Sequence, residues 1–304
     1  MQTVPTDIRF LLGDRPVLRA QRALVPVGYG LNAVLSGARL TPPLLPRDAD
    51  GYRLQSLPVA ALETIAKDFP GLIASSPQTY ARHYIDMRPG FDAYMAQFSS
   101  KTRATLKRKM RKLAEANGGA LDIRSYHAPD QVAAFFDLAL PLATRTYQAR
   151  LLDAGLPETP AFRSEAAALA AADRLRAYIL FVDSAPVAYL YLPVAGDVLV
   201  YAYLGYDQAH AALSPGTVLQ MHALEALFAE QRFAYFDFTE GDGAHKALFG
   251  THYAHCATVF LLKPTLANRL LLASNRRFNA GVEATGAWLD KVGVKAKVKK
   301  LLRG

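Results

Sequence analysis

Asp237, Glu240, Asp242, His245 and Lys246 fall within the single run DFTEGDGAHK at 237–246. Three acids, an imidazole and an amine this close together can take a proton from an ammonium group and meet a developing oxyanion with a cation. Gly241 and Gly243 let the backbone there approach a ligand. Ser214-Pro215-Gly216-Thr217-Val218 has the form of a helix start, which leaves the N–H groups of Gly216, Thr217 and Val218 without intrahelical partners. The helix dipole adds partial positive charge at the same place, so an anion such as a pyrophosphate fits there. Ser214-Pro215 can equally do no more than cap a core helix. The run KTRATLKRKMRK at 101–112 carries seven basic residues and no acid, with Arg103, Lys107 and Arg111 in one row. Such a row either stays solvated or attracts an anionic acceptor.

Other reactive side chains carry weaker signals. His245, His252, His255 and Cys256 lie close in sequence, but His252 and His255 on one strand would point to opposite faces, and no metal-ligand motif accompanies them. No metal site is expected. Cys256, the one cysteine, reads as a small buried apolar residue. Tyr189, Tyr191, Tyr201 and Tyr203 alternate along two strands and are expected to share faces of a sheet, packed against helices or lining a cleft.

The elements that would position these residues follow from periodicity and punctuation. Ten of the eighteen prolines lie in the first 90 residues, which read as short strands and loops with one helix at 58–67. From 91 the texture becomes helical. FDAYMAQF and SSKTRATLKRKMRKLAEANGG form two helices, with Ser100 as N-cap, Gly118-Gly119 as stop, and Leu106, Met110 and Leu113 as an apolar stripe. Beyond 120 the spacing predicts a strand at 120–126, helices at 129–147 and 161–174, and three strands at 176–183, 186–194 and 197–206 in an antiparallel meander. A helix from Ser214 follows, with Val218, Met221, Leu224 and Phe228 on its apolar face. A strand at 233–238, a short helix at 243–249 and a strand at 253–262 complete the order. The expected divisions are 1–90, 91–119, 120–262 and a basic tail at 263–304.

The chain has 304 residues, 51% hydrophobic and 20% charged, which excludes intrinsic disorder and fibrous repeats. Its net charge of +9 is local. Residues 101–112 and 291–304 hold thirteen basic residues and no acid, leaving 22 basic against 26 acidic residues elsewhere, a remainder of −4. Aromatic interleaving of the basic helix is missing, so sequence-specific nucleic-acid recognition is disfavoured. No apolar run is long enough to span a membrane, and no signal peptide is legible, so the expected location is the cytoplasm. Trp288, Leu289, Val292, Val298, Leu301 and Leu302 among lysines suit peripheral contact with an anionic membrane on its inner face.

FSSKTRATLKRKMRKL, YLGYDQAHAALSPGTVLQ and DFTEGDGAHKALFG together resemble the acyltransferase family called CelD or BcsL-like, relatives of the GNAT acetyltransferases and the FemAB aminoacyl transferases. The resemblance runs from about 85 to 262. It implies an α+β GNAT-like fold, with a mixed, largely antiparallel sheet flanked by helices, in 120–262, and an incomplete GNAT-like half in 1–90. It further implies an N-acyltransferase that uses acyl-CoA, such as acetyl-CoA, and passes the acyl group to an amine on a small molecule or saccharide in envelope or exopolysaccharide metabolism. In that frame Ser214, Gly216, Thr217 and Val218 would hold the coenzyme A pyrophosphate, although AALSPGT has one glycine and no Arg or Lys. Leu204 and Gly205 would offer backbone groups to the acyl-pantetheine, and Tyr203 would line the acceptor cleft. Glu240 would be the base, Lys246 the electrophilic or anchoring group, and Asp237 would order the loop. Relatives commonly have tyrosine just before this lysine, where His245 stands. Two other readings remain open: a FemAB-like transferase fed by aminoacyl-tRNA through Arg103, Lys107 and Arg111, and a non-catalytic protein at the membrane surface.

Overall fold

The computed structural model describes residues 3–12, 15–39, 41–145 and 155–291, and the chain divides into two compact units, Met1–Ala81 with Ala254–Gly304, and Arg82–Tyr253. The lysine-rich tail after Lys291 and the end of the helix expected to reach 147 lie outside the described residues.

The first unit opens with strands longer than the prolines suggest. β1 (Val4–Leu12) and β2 (Arg15–Gly28) form an antiparallel hairpin. Pro16 and Pro26 lie near the ends of β2, where the missing N–H groups cost least. After α1 (Leu31–Ser36), β3 (Gly51–Pro58) runs parallel to β2. The helix expected at 58–67 is a 3-10 turn, Val59–Ala61, and a single turn, α2 (Ile65–Asp68). β4 (Ile73–Ala74) is short.

β5 (Gln78–Asp86) leads into the second unit. Next come α3 (Phe91–Ala96) and α4 (Ser100–Ala116). Ser99, one residue before the expected cap, accepts the Thr102 N–H at 3.1 Å. β6 (Asp122–Ser125), α5 (Val132–Arg145) and α6 (Pro160–Ala171) follow, α6 capped by Thr159 and begun by Pro160 as the sequence suggests. The meander is β7 (Leu175–Val182), β8 (Ala185–Ala195) and then two pieces, β9 (Val198–Val200) and β10 (Tyr203–Tyr206). α7 (Pro215–Ala229), β11 (Tyr235–Asp237) and α8 (Ala244–Phe249) complete the unit.

In this unit β6, β7, β8 and β9 pair antiparallel in that order, β9 pairs parallel with β11, and β11 pairs antiparallel with β5. It is a mixed, largely antiparallel sheet with a core on each face. Tyr178, Leu180, Leu190 and Leu192 pack with α3, α4 and α7, whereas Ala177, Ile179, Tyr189 and Tyr191 pack with α5 and α6. Burial on both faces explains why LRAYILFV is apolar at every position but Arg176, which is paired with Asp173 and Glu230. α7 is buried almost all round, through Val218, Leu219, Met221, Ala223, Leu224 and Phe228.

β12 (His252–Leu262) carries the chain back into the first unit, where its 254–262 part pairs antiparallel with β3 and β4. α9 (Leu266–Lys291) then packs on the hairpin. Asn268 accepts from the Arg22 guanidinium at 2.8 Å, and the Phe10 and Phe278 rings meet at 5.5 Å. Among the described residues no helix is long and apolar enough to cross a membrane.

Candidate active site

The site begins at a fork in the second unit. Against β8, β9 keeps the register Val194↔Leu199, whereas β10 keeps Tyr191↔Tyr203. The chain has one more residue than its partner between these rungs, so Tyr201 and Ala202 form a bulge. β11 follows β9 in parallel, and the last bond between them is Tyr201 N–H to the Asp237 carbonyl at 2.8 Å. Phe238 N–H then turns to the His83 carbonyl, and the loop swings away through Thr239 and Gly241, both at positive φ. β10 continues with β8 as its only strand partner among the described residues. Tyr189, Tyr191 and Tyr203 share one face as expected, and the bulge takes only Tyr201 to the other. Tyr201 packs on the α7 side, whereas Tyr203 lies on the other side, 5.7 Å from Phe162 and 6.1 Å from Tyr191.

α7 starts beside β10. A 3-10 helix, Gln208–Leu213, ends at Ser214, whose left-handed backbone (φ 54°) sends the chain into Pro215; its hydroxyl makes no cap bond. A Cβ on Gly216 would stand 3.0 Å from Leu204 and 3.2 Å from Tyr206, so the helix start lies close against the strand. On Gly205 it would stand 2.4 Å from the Tyr189 ring. The expectation of three open N–H groups needs one correction: the Val218 N–H reaches the Ser214 carbonyl at 3.1 Å, because that carbonyl is already in helical position. Gly216 and Thr217 keep theirs unbonded among the described residues. Lys112 of α4 reaches the segment before this helix, its Nζ donating to the Ala212 carbonyl at 3.0 Å.

Asp237 is fully buried and paired with Arg82, whose Nε donates to Oδ1 at 3.0 Å while Nη2 meets Oδ2. Oδ1 also accepts the Thr239 N–H at 2.9 Å. Asp237 thus fastens β5, β11 and the loop together. Lys246 Nζ donates to the Glu240 carbonyl, closing that loop. Burial pulls the Lys246 pKa below its usual value, and the charges of Asp237 and Glu240 oppose the shift. His245, one residue earlier on α8, has Nε2 2.6 Å from Gln220 Oε1 of α7. Packing round the ring lowers its pKa, and the cations Lys109 and Lys246 lower it further. The His245 ring stands 4.7 Å from Phe249, 6.3 Å from Phe238 and 6.4 Å from Tyr201.

Asp237, Glu240, His245 and Lys246 are therefore gathered at one side of the fork, and Leu204, Gly205, Ser214, Gly216 and Thr217 at the other. The basic row is put to other uses. Arg103 donates to the Phe98 carbonyl at 2.7 Å, Arg111 pairs with Glu115 at 3.5 Å, and Lys107 is exposed. Arg82, Lys109 and Lys112 carry no local signal. A buried glutamine amid the apolar face of α7 was the one cue in the sequence. Among the described residues no group of three or more His, Cys, Asp or Glu could hold a metal ion.

Residues 100–247, a little under half of the chain, match the family model described as the acetyltransferase (GNAT) domain. This stretch is similar to the GNAT-type acetyltransferase domain, and the match ends just past Lys246. Among solved structures, FemX is similar at 11% identity over 86% of this chain and 88% of its own, with a TM-score of 0.53. The C-terminal domain of a putative lysylphosphatidylglycerol synthetase from Agrobacterium fabrum is similar at 14% identity over 76% and 72%, with a TM-score of 0.51. These likenesses are of fold. No curated protein matches the chain in sequence.

Proposed function

We propose that the protein is an N-acyltransferase that moves an acyl group from acyl-CoA to an amine on a small molecule or saccharide. The observation that carries this reading is the fork itself, with an anion-accepting helix start at one side and the 237–246 loop at the other. The open N–H groups of Gly216 and Thr217, with Lys112 beside them, suit a pyrophosphate. The edge of β10 at Leu204 and Gly205 offers backbone groups to the pantetheine amides. Lys246 meets the oxyanion or anchors the acceptor, Asp237 holds the loop through Arg82, and Glu240 or His245 takes the ammonium proton. The resemblance to the CelD or BcsL-like family supports an amino sugar or its nucleotide derivative as acceptor.

Release of the coenzyme A thiol from acetyl-CoA, followed over a panel of amino sugars and nucleotide amino sugars, tests the reading. Lys246→Ala should slow transfer by about 10²-fold or more, and Glu240→Ala should do so only where Glu240, rather than His245, is the base. Rates within about threefold of wild type would remove both side chains from the mechanism.

A further inference from the structure

We propose that His245 is the proton acceptor of the transfer and that Gln220 positions it, by holding Nε2–H inward so that Nδ1 carries the free lone pair. The proposal rests on the acyltransferase reading and chooses between the two bases that reading leaves.

Place is the first argument. Tyr201 makes the last bond across the fork, Phe238 is the first residue to turn away from it, and both rings stand against His245. Although its ring packs against Phe249 at 4.7 Å, His245 keeps part of its surface open to solvent, so a substrate can reach it. Gln220 supplies the second argument. It is fully buried on α7, between Leu219 and Met221, and is the one polar side chain among the buried residues of that helix. A buried amide is costly unless bonded. Its one bond among the described residues is to His245, and its Nε2 group is left without a partner. A polar side chain kept in an apolar core for one contact acts on the group it touches. With the amide oxygen turned to the ring, as placed here, Oε1 can only accept, which makes His245 Nε2 the donor and leaves Nδ1 as the acceptor of the neutral ring.

Charge is the third argument. The charged groups acting on the ring are Lys109 of α4 and Lys246 beside it, both positive, and Tyr201 is the titratable group facing it from the sheet. Packing and these cations keep the ring neutral near pH 7, ready to take a proton. Lys246, in contrast, is engaged as a donor to the Glu240 carbonyl.

The step balances without a further reactant. The acceptor ammonium gives one proton to Nδ1, making an imidazolium that passes it to solvent. The amine lone pair attacks the thioester carbonyl carbon, the C–N bond forms, and the C–S bond breaks with its electron pair on sulfur. The second proton leaves the nitrogen and neutralises the thiolate.

Two measurements on the full chain test this. Long-range nitrogen–proton NMR of the histidine rings should find His245 as the Nε2–H tautomer, and Gln220→Met, which keeps the volume and the fold, should lose that preference. An Nδ1–H tautomer in the wild type would overturn the role of Gln220. The pH–rate profile of acetyl transfer, read with the best acceptor of the amine panel, should show an acid limb that moves to higher pH in Gln220→Glu. In His245→Asn the limb should vanish, with kcat down about 10²-fold or more and the acetyl-CoA KM unchanged. An unchanged limb with kcat within threefold would overturn the base assignment and leave the acyltransferase reading standing. Absence of transfer from acetyl-CoA to every amine in the wild type would instead overturn that reading, and the base role with it.

Discussion

At the scale of residues, Arg82 and Asp237 show how a carboxylate beside reactive groups can be structural. Both are buried, and removing one partner leaves an unpaired charge inside the unit. Arg82→Met is expected to lower the unfolding free energy by about 3–5 kcal/mol in urea titration, and the double change with Asp237→Asn to recover much of it. Asp237 is legible in the sequence as part of an acidic cluster. Its partner is not, because Arg82 lies 155 positions away and no local pattern marks it. The histidines set a pH dependence. His245 and His127 fold with pKa values below the ordinary 6.5, the packing of each lowering it first. The unfolded chain then binds more protons than the folded one as pH falls below 6.5, so stability should decline from there downward. Replacing both by Gln should flatten that decline between about pH 6.5 and 5. The depressed carboxylates Asp86, Asp122 and Asp173 lose their contribution only below their ordinary 3.8, in a separate window.

At the scale of elements, the start of α7 was readable and the fork was not. Proline at the first helical position and the following apolar spacing mark α7 in the sequence. The bulge at Tyr201 and Ala202 depends on one extra residue in a pairing, which alternation alone does not reveal, so 197–206 read as one strand. That single residue turns Tyr201 toward α7 and leaves Tyr203 among Phe162 and Tyr191. Ser214 sits in the left-handed region without a cap bond, so Ser214→Gly should stabilise the protein by about 1 kcal/mol in thermal unfolding. Gly205→Ala must displace the Tyr189 ring from a packed core and should cost about 1–3 kcal/mol in the same measurement.

At the scale of the whole molecule, the net charge of +9 is a property of two segments, and the folded second unit uses one of them. The row read from the sequence, Arg103, Lys107 and Arg111, is turned to α3, to solvent and to Glu115. The neighbouring face of α4 presents Lys109 to His245 and Lys112 to the residues before α7. Helical spacing finds both rows, and only packing decides which one meets the site. The first unit is the least legible in the sequence, because its prolines suggest loops, whereas Pro5, Pro16 and Pro26 lie near the ends of the long hairpin strands. The proposed function has the fork and the α7 start receive acyl-CoA, so thermal unfolding of the full chain titrated with acetyl-CoA, wild type beside Lys112→Ala, tests it without any knowledge of the acceptor. The account predicts a saturable upward shift, worth roughly 2.7 kcal/mol at about 100 times the dissociation constant, with affinity about tenfold weaker in Lys112→Ala. No shift in the wild type up to millimolar acetyl-CoA would contradict it.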